Sequence, residues 1–277
     1  MLGTERTGHG IRLREDGLLV TIGYVVNEAE EIRTTSQNGR AAPAFVVGND
    51  FQSGLALIKP MIPFPGPVAE IGDTRTLGVG DAVLAASSEE ADSQIIEAHV
   101  VAKQEFAGRW EYVLDEAIFT APPHPQYAGA ALIGKDGKLL GIGSLLVNDA
   151  LPGRKALAGN MFVPIDRLKP ILSVMIADGR TKEEPLPWVG LFTEEFRDKL
   201  IVMFVAPNGP AEKAGMKTND LVLEVANRPI ENQADFYMKM WNLGRAGTAI
   251  PLTVLQGTEL SLIHISEPTR PRLISYA

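Results

Sequence analysis

Short apolar runs separated by Gly, Asp and Asn fill the chain from Ile11 to about Leu146. Gly17-Leu18-Leu19-Val20-Thr21-Ile22 and Ala44-Phe45-Val46-Val47 set the pattern. Leu55 to Ile58, Asp81 to Ala86, Ile95 to Ala102, Tyr112 to Leu114 and Leu139 to Ile142 repeat it. Runs of this length, bounded by turn chemistry such as Lys135-Asp136-Gly137-Lys138, predict β-strands. Many strands with no helix between them predict an antiparallel barrel or sandwich. The period changes at Ile165, where Ile165, Leu168, Ile171, Leu172 and Met175 recur every three to four residues and predict a helix to about Ile176. Ala177 to Pro187 is polar, charged and bounded by proline, the composition of a linker. A second domain is expected from Trp188, with a short helix at Pro210 to Gly215 and a strand at Leu221 to Val225. A helix at Ala234 to Leu243 and a last strand at Pro251 to Leu255 complete it.

Composition narrows the class. The 277 residues suffice for roughly two domains. With 26 Lys and Arg against 34 Asp and Glu, the net charge of −8 and pI near 5.1 offer a phosphate backbone little attraction, so nucleic acid is not an expected partner. No stretch approaches the roughly 18 uninterrupted apolar residues of a membrane helix. The absence of cysteine removes disulfides, thiol nucleophiles and thiolate metal sites. The four histidines show no ligand spacing, so neither a metal nor a cofactor is expected. No charged and apolar leader precedes the first structured run, so no secretory signal is expected within this chain.

Four segments carry a resemblance. DGLLVTIGYVV (16–26), GRAAPAFVVGNDFQSGLALIK (39–59), TAPPHPQYAGAALIGKDGKLLGIGS (120–144) and MFVPIDRLKPIL (161–172) resemble the HtrA (Deg) serine proteases in sequence and spacing. The resemblance extends over nearly all of Gly8 to Glu259. It implies a mostly β fold, a trypsin-like double antiparallel β-barrel over residues 1–176, then a linker at 177–187 and a small α+β PDZ domain at 188–259. Carried over position by position, the family's catalytic histidine falls on Tyr24, its aspartate on Gly54 and its nucleophilic serine on Ala128. A glycine whose N–H serves the oxyanion falls on Gln126. Acyl transfer needs a hydroxyl, a base to take its proton and a carboxylate to orient that base. Losing such a unit costs on the order of 10⁶ in turnover. No other order of Ser, His and acid replaces it. His124 is expected in a loop and His99 on a strand face, and Tyr24 and Tyr127 are expected to fill the cleft.

Trp188-Val189-Gly190-Leu191-Phe192 and GPAEKAGMKTND resemble the PDZ part of that family. The resemblance implies that the Pro187–Leu191 loop receives a peptide carboxylate on its backbone N–H groups, with Phe236 and Met240 lining a pocket beside the helix. Expected partners are therefore peptides or protein C-termini. The family implies homo-oligomers and a periplasmic location as well. The overall expectation is an inactive HtrA-like pseudoprotease that binds peptides, with an active trypsin-like endopeptidase or a purely architectural subunit as alternatives. Finally, LSLIHISEPTR (260–270) and the residues to Ala277 resemble a translated transposon-type sequencing adapter. On that reading residues 260–277 are foreign, the natural chain continues beyond Glu259, and the PDZ domain lacks its last strand.

Overall fold

A computed structural model describes residues 5–89, 92–108, 112–151, 157–181, 185–197 and 199–266. The chain falls into two compact units, one from the residues before 182 and the other from those after 183, with the hairpin tip Glu105–Val113 counted in the second.

The first unit opens with β1 (Ile11–Arg12) and β2 (Leu19–Ile22), followed by a single helical turn α1 (Gly23–Val26). Then come β3 (Ile32–Thr35), β4 (Ala41–Asp50) and β5 (Leu55–Pro60), which complete a five-stranded antiparallel sheet ordered β1-β2-β5-β4-β3. A six-stranded barrel follows. Its strands are β6 (Ala82–Glu89), β7 (Asp92–Gly108), β8 (Tyr112–Ala121), β9 (Ala131–Ile133), β10 (Leu139–Val147) and β11 (Gly159–Pro164), closed in the order β10-β11-β8-β7-β6-β9. Closure removes both sheet edges and leaves an interior of Val83, Ala85, Val100, Ile118, Leu132 and Phe162. Every residue of β11 is buried.

The helix expected from Ile165 is broken. A 3₁₀ turn spans Ile165–Arg167, and α2 begins only at Leu172 and ends at Asp178. Pro170 explains the break, because it lacks an N–H and disfavours helical backbone at the residue before it. Gly179, at φ +72°, stops α2. Beside the turn, Asp166 accepts hydrogen bonds from the Thr74 N–H (2.7 Å) and hydroxyl and pairs with Lys169 at 2.8 Å. Burial alone would raise its pKa; the bonds from Lys169 and Thr74 outweigh that and hold the carboxyl below its ordinary range.

The second unit comprises β12 (Leu191–Phe196), β13 (Lys199–Val205), α3 (Pro210–Lys213), β14 (Leu221–Val225), β15 (Arg228–Pro229), α4 (Gln233–Trp241), β16 (Ile250–Gln256) and β17 (Glu259–Ile265). Its sheet runs β12-β13-β14-β16-β17, with β15 paired to β14. Asn232 caps α4 by accepting from the Asp235 N–H at 2.8 Å, which is why the helix starts one residue before its apolar period does. The expectation of a missing last strand is corrected. A tight turn with Gly257 at φ +63° returns the chain, and β17 pairs with β16 without interruption from Gln256↔Glu259 to Ile250↔Ile265. That register turns Ile263 and Ile265 into the core and Leu260 and Leu262 out to solvent.

Candidate functional site

The three positions that the resemblance assigns to a catalytic triad lie in α1, in the turn before β5 and in the loop before β9. Tyr24 lies in α1, directly after β2, and the neighbouring Gly23 N–H donates to the Gly54 carbonyl at 2.6 Å. Gly54, at φ +74°, ends the turn from Asp50, so an unstrained backbone there favours glycine. The acidic residue of this turn is Asp50, four positions earlier. It is buried and accepts from the Ser53 N–H (3.0 Å) and hydroxyl (2.5 Å) on Oδ2 and from the Thr181 hydroxyl (3.4 Å) on Oδ1. Ala128 accepts from the His9 N–H at 2.8 Å, and Gly129 donates to the Gly143 carbonyl at 2.8 Å. Gly129 has φ +76°, and a Cβ on it would lie 2.0 Å from the His9 carbonyl oxygen. The Tyr24 hydroxyl donates to the Ser144 carbonyl at 2.7 Å, joining α1 to β10 beside that loop. Arg6 holds the end of α1 through the carbonyls of Tyr24 (2.7 Å) and Asn27 (2.6 Å).

The loop before Ala128 is organised around a side chain expected to be a simple loop residue. His124 is fully buried. Its backbone N–H donates to Asn160 Oδ1 at 2.6 Å, and Asn160 Nδ2 returns a bond to the His124 carbonyl at 3.1 Å, so the orientation of that amide follows from its partners. The Gln126 N–H donates to His124 Nδ1 at 3.1 Å. His124 Nε2 lies 3.2 Å from the Gln94 carbonyl, which can only accept, so the ring carries its proton on Nε2.

This pattern has two chemical consequences. Ser87 Oγ is 3.4 Å from His124 Nε2, but that nitrogen is a donor here, and the hydroxyl gives its proton to Gln126 Oε1 at 2.7 Å. No base takes the proton of Ser87. Gln126 itself, which the resemblance assigns to the oxyanion, has its N–H turned onto the imidazole. His99 is exposed on β7 opposite Ala82, and His9, whose backbone N–H bonds Ala128, turns its Nδ1 to the Ser88 carbonyl at 3.2 Å.

In the second unit the Pro187–Leu191 loop is shaped by Gly190 at φ +78°, where a Cβ would meet the Trp188 ring at 3.1 Å. The Val189 carbonyl accepts from the Ala211 N–H (2.9 Å) and the Gly190 carbonyl from the Ala206 N–H (2.9 Å). Val189 and Leu191 are buried on one side of the sheet. Phe192 points to the opposite side, as strand alternation demands, and meets Phe204 edge-on at 5.3 Å. Phe236 and Met240 are wholly buried in the core with Leu191, Val202 and Leu252, so they face inward rather than line a surface. The row of α4 tied to β12 starts at Gln233 and continues at i+4 and i+8 through Tyr237 and Trp241, whose rings stack at 5.7 Å. Sequence reading passed over this row, although its helical spacing was available.

Comparison with known proteins matches residues 8–142 to the trypsin-like peptidase domain and residues 187–266 to the PDZ domain. The serine endoprotease DegS of Salmonella typhimurium is 26% identical over 267 residues, covering 90% of this chain and 73% of the relative. A putative protease Do-like 14 from Arabidopsis thaliana is 27% identical over 259 residues, covering 80% and 57%. Among solved structures, a serine endoprotease from Yersinia pestis aligns with TM-score 0.54 at 26% identity, covering 94% of this chain and 88% of that one. The HtrA-type protease AlgW with decapeptide aligns with TM-score 0.58 over 96% and 83%, and at 19% identity it shares the fold. With both domains matched in order and relatives spanning nearly the whole chain, this protein belongs to the HtrA (Deg) family, a trypsin-like peptidase domain followed by a PDZ domain.

Proposed function

We propose that this chain is a catalytically silent HtrA protein whose working surface is the peptide edge of its PDZ domain. The observation that carries the reading is the state of the loop before Ala128. The nucleophile position bears a methyl group, and the N–H at the oxyanion position is bonded to His124 Nδ1. Neither a nucleophile nor that oxyanion donor is offered to a scissile carbonyl. The Ser–His approach nearby, Ser87 to His124, ends on a protonated ring nitrogen, and among the described residues no carboxylate is bonded to that ring.

Peptide binding is supported by what the second unit keeps. β12 is an outer strand of its sheet, the loop before it has the glycine-shaped backbone of a carboxylate cradle, and α4 lies alongside. The peptide in the AlgW structure belongs to that protein and lends the reading an analogy.

The competing reading, a working serine endopeptidase, is favoured by the names of the relatives. A fluorophosphonate probe separates the two. Incubated with the full chain, it is expected to leave no adduct by intact mass spectrometry, while casein stays uncut. A stoichiometric adduct on any serine, mapped by peptide sequencing, would overturn the silent reading.

A further inference from the structure

The Gly190 carbonyl points into the sheet, toward the Ala206 N–H at the end of β13. In an extended strand the next residue points the other way, so β12 presents the carbonyls of Leu191, Thr193 and Glu195 along its outer edge. A peptide added as a further strand would donate its backbone N–H groups to that row. At Thr193 the carbonyl already accepts one hydrogen bond. Gln233 Nε2 lies 3.2 Å from the Thr193 carbonyl oxygen, 3.2 Å from Thr193 Oγ1 and 2.9 Å from the Tyr237 hydroxyl. A carbonyl cannot donate, so the NH₂ end of the amide must be the end that faces it. A second tie lies one turn of the strand further on, where the Gln233 N–H donates to Glu195 Oε1 at 2.6 Å. Thr193 is 1% exposed, Gln233 8% and Tyr237 0%, so water does not compete for these bonds.

We infer that Gln233 is an internal stopper of the peptide edge: its side-chain amide stands where the backbone N–H of an added strand would stand, and a peptide binds by displacing it. The inference rests on the peptide-binding reading above. A helix seated on β12 only through apolar side chains would leave the strand's acceptors to the ligand. Here a polar side chain from the first turn of α4 imitates the ligand's own backbone, and its two hydrogens are shared among three acceptors. Binding then carries the cost of removing the amide, and the affinity seen is the intrinsic one reduced by the fraction of molecules with the edge open.

The test compares the full chain with Gln233→Ala and with Gln233→Leu, which keeps most of the volume but donates nothing. The probe is a fluorescein-labelled decapeptide pool with random interior positions, a free carboxylate and Val, Leu, Ile or Phe at the last position, followed by anisotropy. The same pool with an amidated C-terminus is the control. Thermal melting confirms that each variant is folded, and Gln233→Leu carries the test if Gln233→Ala is not. Both variants are expected to bind the free-carboxylate pool about ten-fold more tightly than the native chain, the loss of one buried hydrogen bond to be broken. Affinities equal within two-fold would overturn the stopper while leaving peptide binding intact. Weaker binding by the variants would overturn it too and make Gln233 a ligand contact. No binding by any form, native or variant, would overturn the peptide-binding reading itself and the stopper with it.

Discussion

On the readings proposed above, the loop around Ala128 and the outer edge of β12 are both closed, and they are closed by different kinds of change. At the positions that the resemblance assigns to the triad, the groups that acyl transfer needs are missing as atoms: a methyl group stands for a hydroxyl, a phenol for an imidazole, a hydrogen for a carboxylate. No rotation brings them back. At β12 the groups that a peptide needs belong to the backbone, and one side-chain amide covers the acceptor at Thr193. A side-chain hydrogen bond can open and re-form where an absent atom cannot, so the second closure is an equilibrium and the first is not. The difference teaches where to look for regulation in such a molecule. It belongs to the domain whose function rests on main-chain groups, because those survive substitution.

The largest effect that could break this contrast is the return of cleavage. Tyr24→His, Gly54→Asp and Ala128→Ser together restore the side chains. His124→Asn with Gln126→Gly removes the ring that holds the N–H at position 126. All five changes are expected to yield casein fragments by mass spectrometry, and the first three alone to cut at least about 10²-fold more slowly, the cost of one oxyanion donor. Equal rates would mean that the imidazole does not hold that N–H away. Next in size, His124→Ala leaves the Gln126 N–H and the Gln94 carbonyl without their buried partner and is expected to cost about 2–4 kcal/mol in urea unfolding, read by fluorescence. Ile265→Ala should cost a similar 2–4 kcal/mol, but in the second unit, because that side chain is 1% exposed beneath β16. Hydrogen exchange resolved by peptide would place each loss in its own unit, and a loss spread over both would end the description of two separate closures.

Smaller still is Tyr24→Phe. It deletes one hydrogen bond to the Ser144 carbonyl, about 1 kcal/mol, and should leave peptide affinity within two-fold of native. The weakest lever is pH. Among the described residues, the carboxyls held below their ordinary range are Asp16, Asp73 and Asp166, in the first unit. Asp166 is the partly buried one, where burial works against ionisation and hydrogen bonds from Lys169 and Thr74 prevail. A carboxyl with a folded pKa below its unfolded value, about 3.9, stabilises the fold above that value and loses the contribution as pH falls through the folded one. Acid titration from pH 5 to pH 2 should therefore loosen the first unit before the second, and Asp166→Asn should flatten that acid limb.

Much of this was legible in the sequence because alternation survives in strands with one solvated face. Leu221 to Val225 was read with its observed bounds, since a clear apolar run ended at turn residues. β7 was read as eight residues and runs for seventeen, because Glu97, Lys103 and Glu105 break the apolar count while still obeying the period of two. The helix at Ile165 was over-extended because periodicity was weighed above Pro170. β17 was discounted for the apparent origin of its residues. A strand, however, is selected by its pattern, and Ser261, Ile263 and Ile265 present a side that the sheet can bury. The assignment of Tyr24, Gly54 and Ala128 to triad positions rests on motif register alone. The bonds around His124 were not legible, since its partners Ser87, Gln94 and Asn160 lie 37, 30 and 36 positions away, and no local pattern joins them.

The hairpin that completes the PDZ sheet also leaves it with a second border. Among the described residues no strand lies beyond β17, and its solvent side carries Leu260 at 68% and Leu262 at 59% exposure. Natural sheets guard such borders with lysine, proline or a bulge, and this one offers a straight seven-residue ladder with none of them. A border of that kind templates the strand of a neighbouring molecule. The expected price is colloidal: light scattering that rises with protein concentration, and a solution that keeps best when dilute.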